Sequence, residues 1–287
     1  MPSLRQLRRR IRSIENTAKV THAMEMIAAS KMRRAQNAVL AGRPYAQKIQ
    51  EVIANLEAQP QELDEGHPLL DRRPVNRIGL VYLTPDRGLS GGLHGSLNRT
   101  LAQFIIEKRP TPVRIVVVGR KGRDFVVRTG QDVQAVFVNL GDRPPMSEIL
   151  PICQIIFNNY SEGEVDEVYL VYPQFVTLTS QRPMITRLLP IEPADLAVES
   201  RVGYIYEPNP GAVLDLLLPR FVEMQVYHAL LELSASEQSA RMVAMRNATD
   251  NAKDMVGDLT LELNKVRQDS ITAELLDIVG GAVALEA

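Results

Sequence analysis

The sequence has a single cysteine, Cys153, and no tryptophan in its 287 residues. One cysteine cannot form an internal disulfide or supply the paired thiolates of a Cys-based zinc site. The four histidines are scattered, and none has an HExxH or similar metal-ligand spacing. The sequence therefore predicts no metal site and no disulfide framework.

The sequence also has no excess of positive charge, because its 33 Lys and Arg residues are balanced by 34 Asp and Glu residues. A net charge of −1 gives no global field that would attract nucleic acid, and we expect no nucleic-acid partner. No apolar run approaches the roughly 20 residues that a membrane span needs. The balance is uneven along the chain, however, with a net charge of +9 in residues 1–50 and −6 in residues 211–287. Opposite ends of this kind predict segments that pack together or against partners of opposite sign, the alternative being two separately solvated helices.

Both terminal segments have the hydrophobic period of a coiled coil. In residues 4–56 an apolar residue recurs every three or four positions, and only Thr21, Glu25 and Gly42 interrupt the stripe. A similar stripe runs through residues 242–266, with Thr249 as its polar member. Stripes repeating every 3.5 residues over several heptads predict long helices that pair along a seam.

The residues between these helices have a different hydrophobic pattern. Short β-branched runs alternate with helix-like stretches, which predicts an α/β fold with a mostly parallel sheet. The predicted strands cover residues 76–84, 113–118, 133–138, 165–172 and 183–190, and the predicted helices cover residues 96–107, 121–129 and 147–162. Segments 58–74 and 191–211 are rich in Pro, Gly and acidic residues and are predicted to be linkers. The predicted domains are therefore residues 1–57, 75–195 and 211–287.

A glycine-rich loop, TPDRGLSGGLHG at residues 84–95, is the main candidate for chemistry. Its backbone amides could hold a phosphate at a helix N-terminus, but its spacing matches neither GxGxxG nor GxxxxGK[ST]. We therefore favour a tight strand-to-helix turn capped by Ser90 or Asp86, and we predict no cofactor and no catalytic residue. The basic pair Arg120–Lys121 in a second loop could meet an acidic partner, but we favour a solvated loop. Cys153, in an apolar stretch, is expected to be a buried, inert thiol.

Four blocks of the sequence resemble the signature blocks of one family. They are IENTAKVTHAMEMIAASKM at 14–32, TPDRGLSGGL at 84–93, SEQSARMVAM at 236–245 and ITAELLDIVGGA at 271–282. They resemble the gamma subunit of rotary proton ATP synthases, and the resemblance covers the whole chain in order. It implies an antiparallel two-helix coiled coil formed by the N- and C-terminal segments, with a central Rossmann-like α/β domain. The implied function is a noncatalytic central stalk that transmits rotation of a membrane rotor ring to the catalytic beta subunits during proton-driven ATP synthesis.

The resemblance also implies partners and contact residues. The partners are a hexamer of alpha and beta subunits, an epsilon subunit and the membrane rotor ring. Contacts with the alpha and beta subunits fall on Met24, Arg241, Arg267, Gln268 and Thr272. The basic residues Arg8 and Arg9 share a helix with Met24 and either meet the same acidic loops or are solvated. Tyr206 and Glu207 resemble the foot segment near the rotor ring and epsilon.

The apolar C-terminus, residues 271–285, is expected to be enclosed by neighbouring subunits, the alternative being a tail folded back on its own domain. Because the sequence starts directly on a helix, we expect a bacterial protein bound peripherally to the cytoplasmic face of the plasma membrane. Two other functions remain open: an enzyme that binds a nucleotide at residues 86–95, and a coiled-coil scaffold or chaperone.

Overall fold

The computed structural model describes residues 3–57, 67–191, 207 and 209–286. These residues form two long terminal helices and, between them, a sheet with three shorter helices. The elements are α1 (Leu4–Glu57), β1 (Ile78–Leu83), α2 (Leu93–Glu107), β2 (Val113–Val118), α3 (Arg120–Arg128), β3 (Asp132–Phe137), α4 (Met146–Ser161), β4 (Glu167–Phe175), β5 (Gln181–Leu189) and α5 (Pro210–Glu286).

The terminal helices follow their hydrophobic stripes closely. Helix α1 has the predicted bounds and continues through Pro44. Helix α5 starts at Pro210, so Pro219 is its tenth residue and lies inside the helix. Pro210 takes the first position of the helix, where the missing N–H of proline costs no helical hydrogen bond.

The five strands form one sheet in the order β3-β2-β1-β4-β5. The first four are parallel, and β5 pairs antiparallel with β4. The expectation of a mostly parallel sheet is confirmed. Side chains of successive strand residues point to opposite faces, and in β1 Leu80 and Tyr82 enter one apolar cluster while Val81 and Leu83 enter another. The sheet is therefore covered on both faces, as a parallel sheet requires.

Residues are grouped into two compact units, 28–241 and 1–27 with 242–287. In the larger unit, α2 and α3 cover one face of the sheet, and α4 and α5 cover the other with part of α1. Residues 229–236 of α5 are all buried, so this stretch has no solvent-facing side. It therefore belongs to the core and not to a two-helix seam.

The smaller unit is a pairing of α1 with α5. On α1, the buried or half-buried positions Leu4, Leu7, Ile11, Ile14 and Ala18 repeat every three or four residues. On α5 the same spacing runs from Ala252 to Ser270. The side-chain hydroxyls of Thr21 and Thr249 are 2.7 Å apart, and antiparallel pairing from this point places Leu4 opposite Val266. The predicted antiparallel coiled coil is confirmed.

Both unit boundaries fall within helices, at Ile27 and at Arg241. The three predicted domains, 1–57, 75–195 and 211–287, therefore stay a prediction. Among the described residues, no helix combines the length and the apolarity that crossing a membrane requires.

Candidate functional site

The glycine-rich loop follows β1 at the carboxyl edge of the sheet, where ligands of open α/β folds commonly bind. Its first residue, Thr84, is buried, and its Oγ1 donates to the carbonyl of Val118 at 2.9 Å and accepts from the N–H of Gly122 at 2.8 Å. One threonine thus joins the ends of β1 and β2 to the first turn of α3. The loop is tied into the sheet at its start.

Asp86 accepts hydrogen bonds from two backbone N–H groups, of the kind that hold phosphates at helix N-termini. Its Oδ1 accepts from the N–H of Arg120 at 3.1 Å, at the N-terminus of α3, and its Oδ2 accepts from the N–H of Asn139 at 2.7 Å. A helix N-terminus attracts anions, and here the chain's own carboxylate is bound there. The prediction that Ser90 or Asp86 caps α2 was wrong. Asp86 caps α3 instead, and no side-chain hydrogen bond caps the start of α2, where the N-cap residue is Gly92.

A cavity of about 290 Å³ lies beside Asp86, between the carboxyl ends of β1 to β3 and helix α5. Its charged lining side chains are Lys31, Asp86, Arg87, Arg120, Asp142, Glu237 and Arg241. The three carboxylates are already paired, since Arg120 lies near Asp86, Lys31 binds Asp142 and Arg241 binds Glu237. Six of these seven side chains therefore form internal ion pairs. The lining hydroxyls offer no activated nucleophile, because Thr84 Oγ1 bonds only backbone groups and Ser234 Oγ has no hydrogen-bond partner among the described residues.

Arg241, a predicted partner contact, is 8% exposed at this cavity. Its Nη2 donates to Glu237 Oε1 at 2.5 Å and to the carbonyl of Gly88 at 3.2 Å. Burial raises the pKa of Glu237 above its usual value, and the Arg241 charge opposes that rise. The side chain thus links α5 to the glycine-rich loop within the larger unit.

The other predicted alpha and beta contacts all lie in the smaller unit. Arg8 and Arg9 are exposed on the first turns of α1, and Arg267 and Gln268 are exposed on the part of α5 that pairs with the start of α1. Thr272 is exposed one turn beyond Gln268, whereas Met24 is half-buried, further along α1. The structure therefore brings Arg8, Arg9, Arg267, Gln268 and Thr272 to one end of the pair.

The predicted foot segment lies only partly within the described residues. Glu207 is exposed, and Tyr206 lies outside the described residues. Sequence reasoning missed Asp142 and its two partners in the larger unit, Lys31 and Gln238. They are separated by 96 and 111 positions along the chain, so no local pattern could have found them. No group of three or more His, Cys, Asp or Glu in the described part of the chain is placed to hold a metal ion.

Cys153 is fully buried in α4, as expected. Burial, with a smaller contribution from Glu223, raises the pKa of its thiol to about 12. Because the thiolate is the reactive form of cysteine, this thiol is inert at neutral pH.

Solved structures share this fold. A chain of the Euglena gracilis mitochondrial ATP synthase, solved as OSCP, F1 and c-ring in rotational state 3, matches with a TM-score of 0.67 at 20% identity and covers 98% of this chain and 94% of its own. A chain of the Tetrahymena thermophila mitochondrial ATP synthase central stalk and c-ring matches with a TM-score of 0.61 at 24% identity and covers 80% of this chain and 99% of its own. At these identities the likeness concerns the fold.

Sequence comparison is more specific. The ATP synthase gamma chain of a Dehalococcoides mccartyi strain is 57% identical over 285 residues and covers 99% of this chain and 100% of its own length. That of Roseiflexus castenholzii is 51% identical over 289 residues, covering 99% of both chains. The family model described as ATP synthase matches residues 3–285. With relatives of this identity along its whole length, the chain belongs to the ATP synthase gamma chain family.

Proposed function

We propose that this chain is the central-stalk subunit of an ATP synthase and that it transmits rotation of a membrane ring to conformational change in the catalytic beta subunits. Family membership supports this role, and so does the exposed apolar face at the end of α5. The subunit itself is proposed to be noncatalytic, with the nucleotide sites on other chains.

The exposed apolar end of α5 carries the proposal. Beyond Ser270 the side chains of α5 that the structure describes, those of residues 271–279, are all exposed. Five of them are large and apolar: Ile271, Leu275, Leu276, Ile278 and Val279. At about 100° per residue they cover roughly half of the helix circumference, with Glu274 and Asp277 on the other side. The described side chains therefore form a broad apolar face.

A continuous exposed apolar face of this kind is typical of a surface that a partner encloses. Apolar contacts are not directional, so a helix end held by them can turn without breaking a fixed set of hydrogen bonds. We therefore propose that the alpha and beta subunits together surround this end of α5. In such a bearing, successive faces of the turning helices stabilise different conformations of each beta subunit.

The proposed contacts combine charge and position. Arg8, Arg9 and Arg267 are exposed, and arginine can exchange bidentate carboxylate partners as a surface turns. We propose that they, with Gln268 and Thr272, face acidic or polar loops of the alpha and beta subunits, as do Met24 and Arg241. Tyr206 and Glu207 are proposed to face the rotor ring and epsilon. The complex would attach the chain peripherally to the cytoplasmic face of a bacterial plasma membrane.

The test is affinity purification of the tagged chain from the cells that make it. We expect alpha, beta and epsilon subunits in the eluate, together with ATPase activity that the isolated chain does not have. Recovery of the chain alone as a homo-oligomer would instead favour a scaffold. Saturable micromolar nucleotide binding by the isolated chain would favour an enzyme.

A variant pair locates the bearing. Replacing Leu275 and Leu276 by serine places two hydroxyls on the proposed apolar contact. Fewer alpha and beta subunits should therefore remain bound to the tagged chain after a salt wash. Ile106→Ser is the matched control, because Ile106 is similarly exposed, on α2 beside the sheet. Equal recovery from both variants would contradict the placement of the bearing.

A further inference from the structure

One carboxylate in the larger unit binds both terminal helices at once. Asp142 follows β3 in the loop to α4, and its Oδ2 accepts from Lys31 Nζ of α1 at 2.6 Å. Its Oδ1 accepts from Gln238 Nε2 of α5 at 2.8 Å. Each oxygen thus accepts a hydrogen bond from a different helix, and together these contacts connect α1, α5 and the sheet.

The loop that carries Asp142 is itself fixed. The N–H of Asn139, three residues earlier, donates to Asp86, which also caps α3. Asn139 and Gly141 have positive φ angles of 64° and 72°, a left-handed conformation in which Asn and Gly are the residues most often found. The position of Asp142 is therefore set by the carboxyl edge of the sheet and not by the helices that it binds.

The two helices depend on this carboxylate to different degrees. Helix α5 has two further hydrogen bonds to this side of the sheet. Ser236 Oγ donates to the carbonyl of Pro173 in β4 at 3.0 Å, and Ser239 Oγ donates to the carbonyl of Leu178, between β4 and β5, at 2.7 Å. The nearby part of α1 is buried through Met32 and Ala35, which are apolar. Apolar packing is not directional, whereas a hydrogen bond between charged groups fixes both distance and orientation. Lys31 therefore resists sliding or rotation of α1 in a way that its apolar neighbours do not.

We propose that Asp142 is a positioning residue that locks the parts of α1 and α5 within the larger unit to the sheet, so that these parts turn with the sheet. The inference rests on the proposed central-stalk function and names the residue through which torque passes between the sheet and the helices. Without this carboxylate, α1 would yield under load while α5 stays bound through Ser236 and Ser239. Part of each rotation would then be lost before it reached the catalytic subunits.

The test uses the assembled, membrane-bound complex and compares ATP-driven proton pumping with ATP hydrolysis. In the Asp142→Ala complex we expect hydrolysis to persist and the ratio of pumping to hydrolysis to fall by about twofold or more, the lower range for a residue that carries coupling. Lys31→Met, which keeps the length of the side chain and removes its charge, should lower the ratio in the same direction. Asp142 and Lys31 are both partly exposed, so neither change should prevent folding.

Two comparisons separate positioning from a general structural effect. Asp132→Ala removes an exposed aspartate that pairs with Arg114 at the edge of the same sheet, and the ratio should stay at the wild-type value. Exchanging the charges in Lys31→Asp with Asp142→Lys restores the ion pair, and Gln238 can offer its amide oxygen to the new lysine, so the ratio should recover.

Three outcomes would overturn the inference: an unchanged ratio in Asp142→Ala, an equal loss in Asp132→Ala, or no recovery in the charge exchange. Each leaves the proposed function standing, because the wild-type complex still assembles and pumps. Failure of the wild-type chain to assemble with alpha and beta subunits would overturn the proposed function itself.

Discussion

Thr21 of α1 and Thr249 of α5 share a buried hydrogen bond between hydroxyls 2.7 Å apart. They are polar interruptions of the two apolar stripes, and the fold places one against the other. Each hydroxyl also lies near a carbonyl of its own helix, that of Ala18 at 3.1 Å and that of Met245 at 2.8 Å. A polar pair in an apolar seam disfavours other registers, because a shift of the helices would leave both hydroxyls buried opposite apolar groups.

This pair leads to the first prediction. Thr21→Val alone should lower the free energy of unfolding by about 1 kcal/mol, since Thr249 loses its partner but keeps the carbonyl of Met245. The double change to valine at both positions should cost less than the sum of the single changes, because two apolar groups replace a matched polar pair. Urea unfolding of the four chains of this mutant cycle gives the coupling energy. Strictly additive costs would show that the hydroxyls do not interact.

Local patterns predicted most of the fold. The three-and-four spacing of apolar residues gave α1 its bounds, Leu4 and Glu57, because a helix this long repeats its signal many times. Strand β2 was predicted at its observed residues, since β-branched runs with flanking turn residues are strong local signals. The resemblance supplied the antiparallel pairing, which periodicity alone left open.

Contacts between distant residues were beyond such patterns. Ser90 or Asp86 was expected to cap the helix that follows the loop, yet Asp86 caps α3, 34 positions away. Arg241 was expected to face a partner, and its bond to Gly88 spans 153 positions. Which donor a carboxylate reaches, and which acceptor a guanidinium reaches, depends on how the elements pack, so the sequence identified the side chains and not their partners.

Cys153 should resist thiol reagents in the folded chain. Its side chain is fully buried and its pKa is raised to about 12, so at pH 8 nearly all of it is protonated and inaccessible. We expect Ellman's reagent to label almost none of it in native buffer and one thiol per chain in denaturant. Rapid labelling of the native chain would mean that α4 opens far more readily than its packing indicates.

Gly119 is required at the start of α3. Its φ is 95°, and an added Cβ would lie 2.0 Å from the carbonyl oxygen of Thr84. Gly119→Ala should therefore lower the free energy of unfolding by about 3 kcal/mol or more. Gly92, before α2, is the matched control, because its φ is −83° and an added Cβ meets nothing within 4 Å. Thermal unfolding of the two variants should differ clearly, and similar midpoints would contradict the close approach to Thr84.

The arginines proposed to contact partners should separate into two kinds. Arg267 is exposed, so Arg267→Ala should change the free energy of unfolding of the chain by no more than about 0.5 kcal/mol. Arg241→Ala leaves the mostly buried carboxylate of Glu237 without its cation and should cost about 3 kcal/mol. In the assembled complex, both changes should weaken coupling of hydrolysis to pumping. Unaltered coupling in both variants would count against these contacts.

Glu237 should make stability depend on pH. Its pKa is raised mainly by burial, so the folded chain holds this proton more tightly than the unfolded chain does. The sign follows from linkage: the free energy of unfolding falls as pH rises from the usual pKa of glutamate through the raised value, and it levels off above that value. Glu237→Gln cannot ionise and should lack this fall, although losing the charge opposite Arg241 adds a cost that does not vary with pH. The measurement is urea unfolding of both chains across this range of pH. The difference in free energy, wild type minus variant, should decrease as pH rises, and a constant difference would show that burial does not perturb this carboxyl.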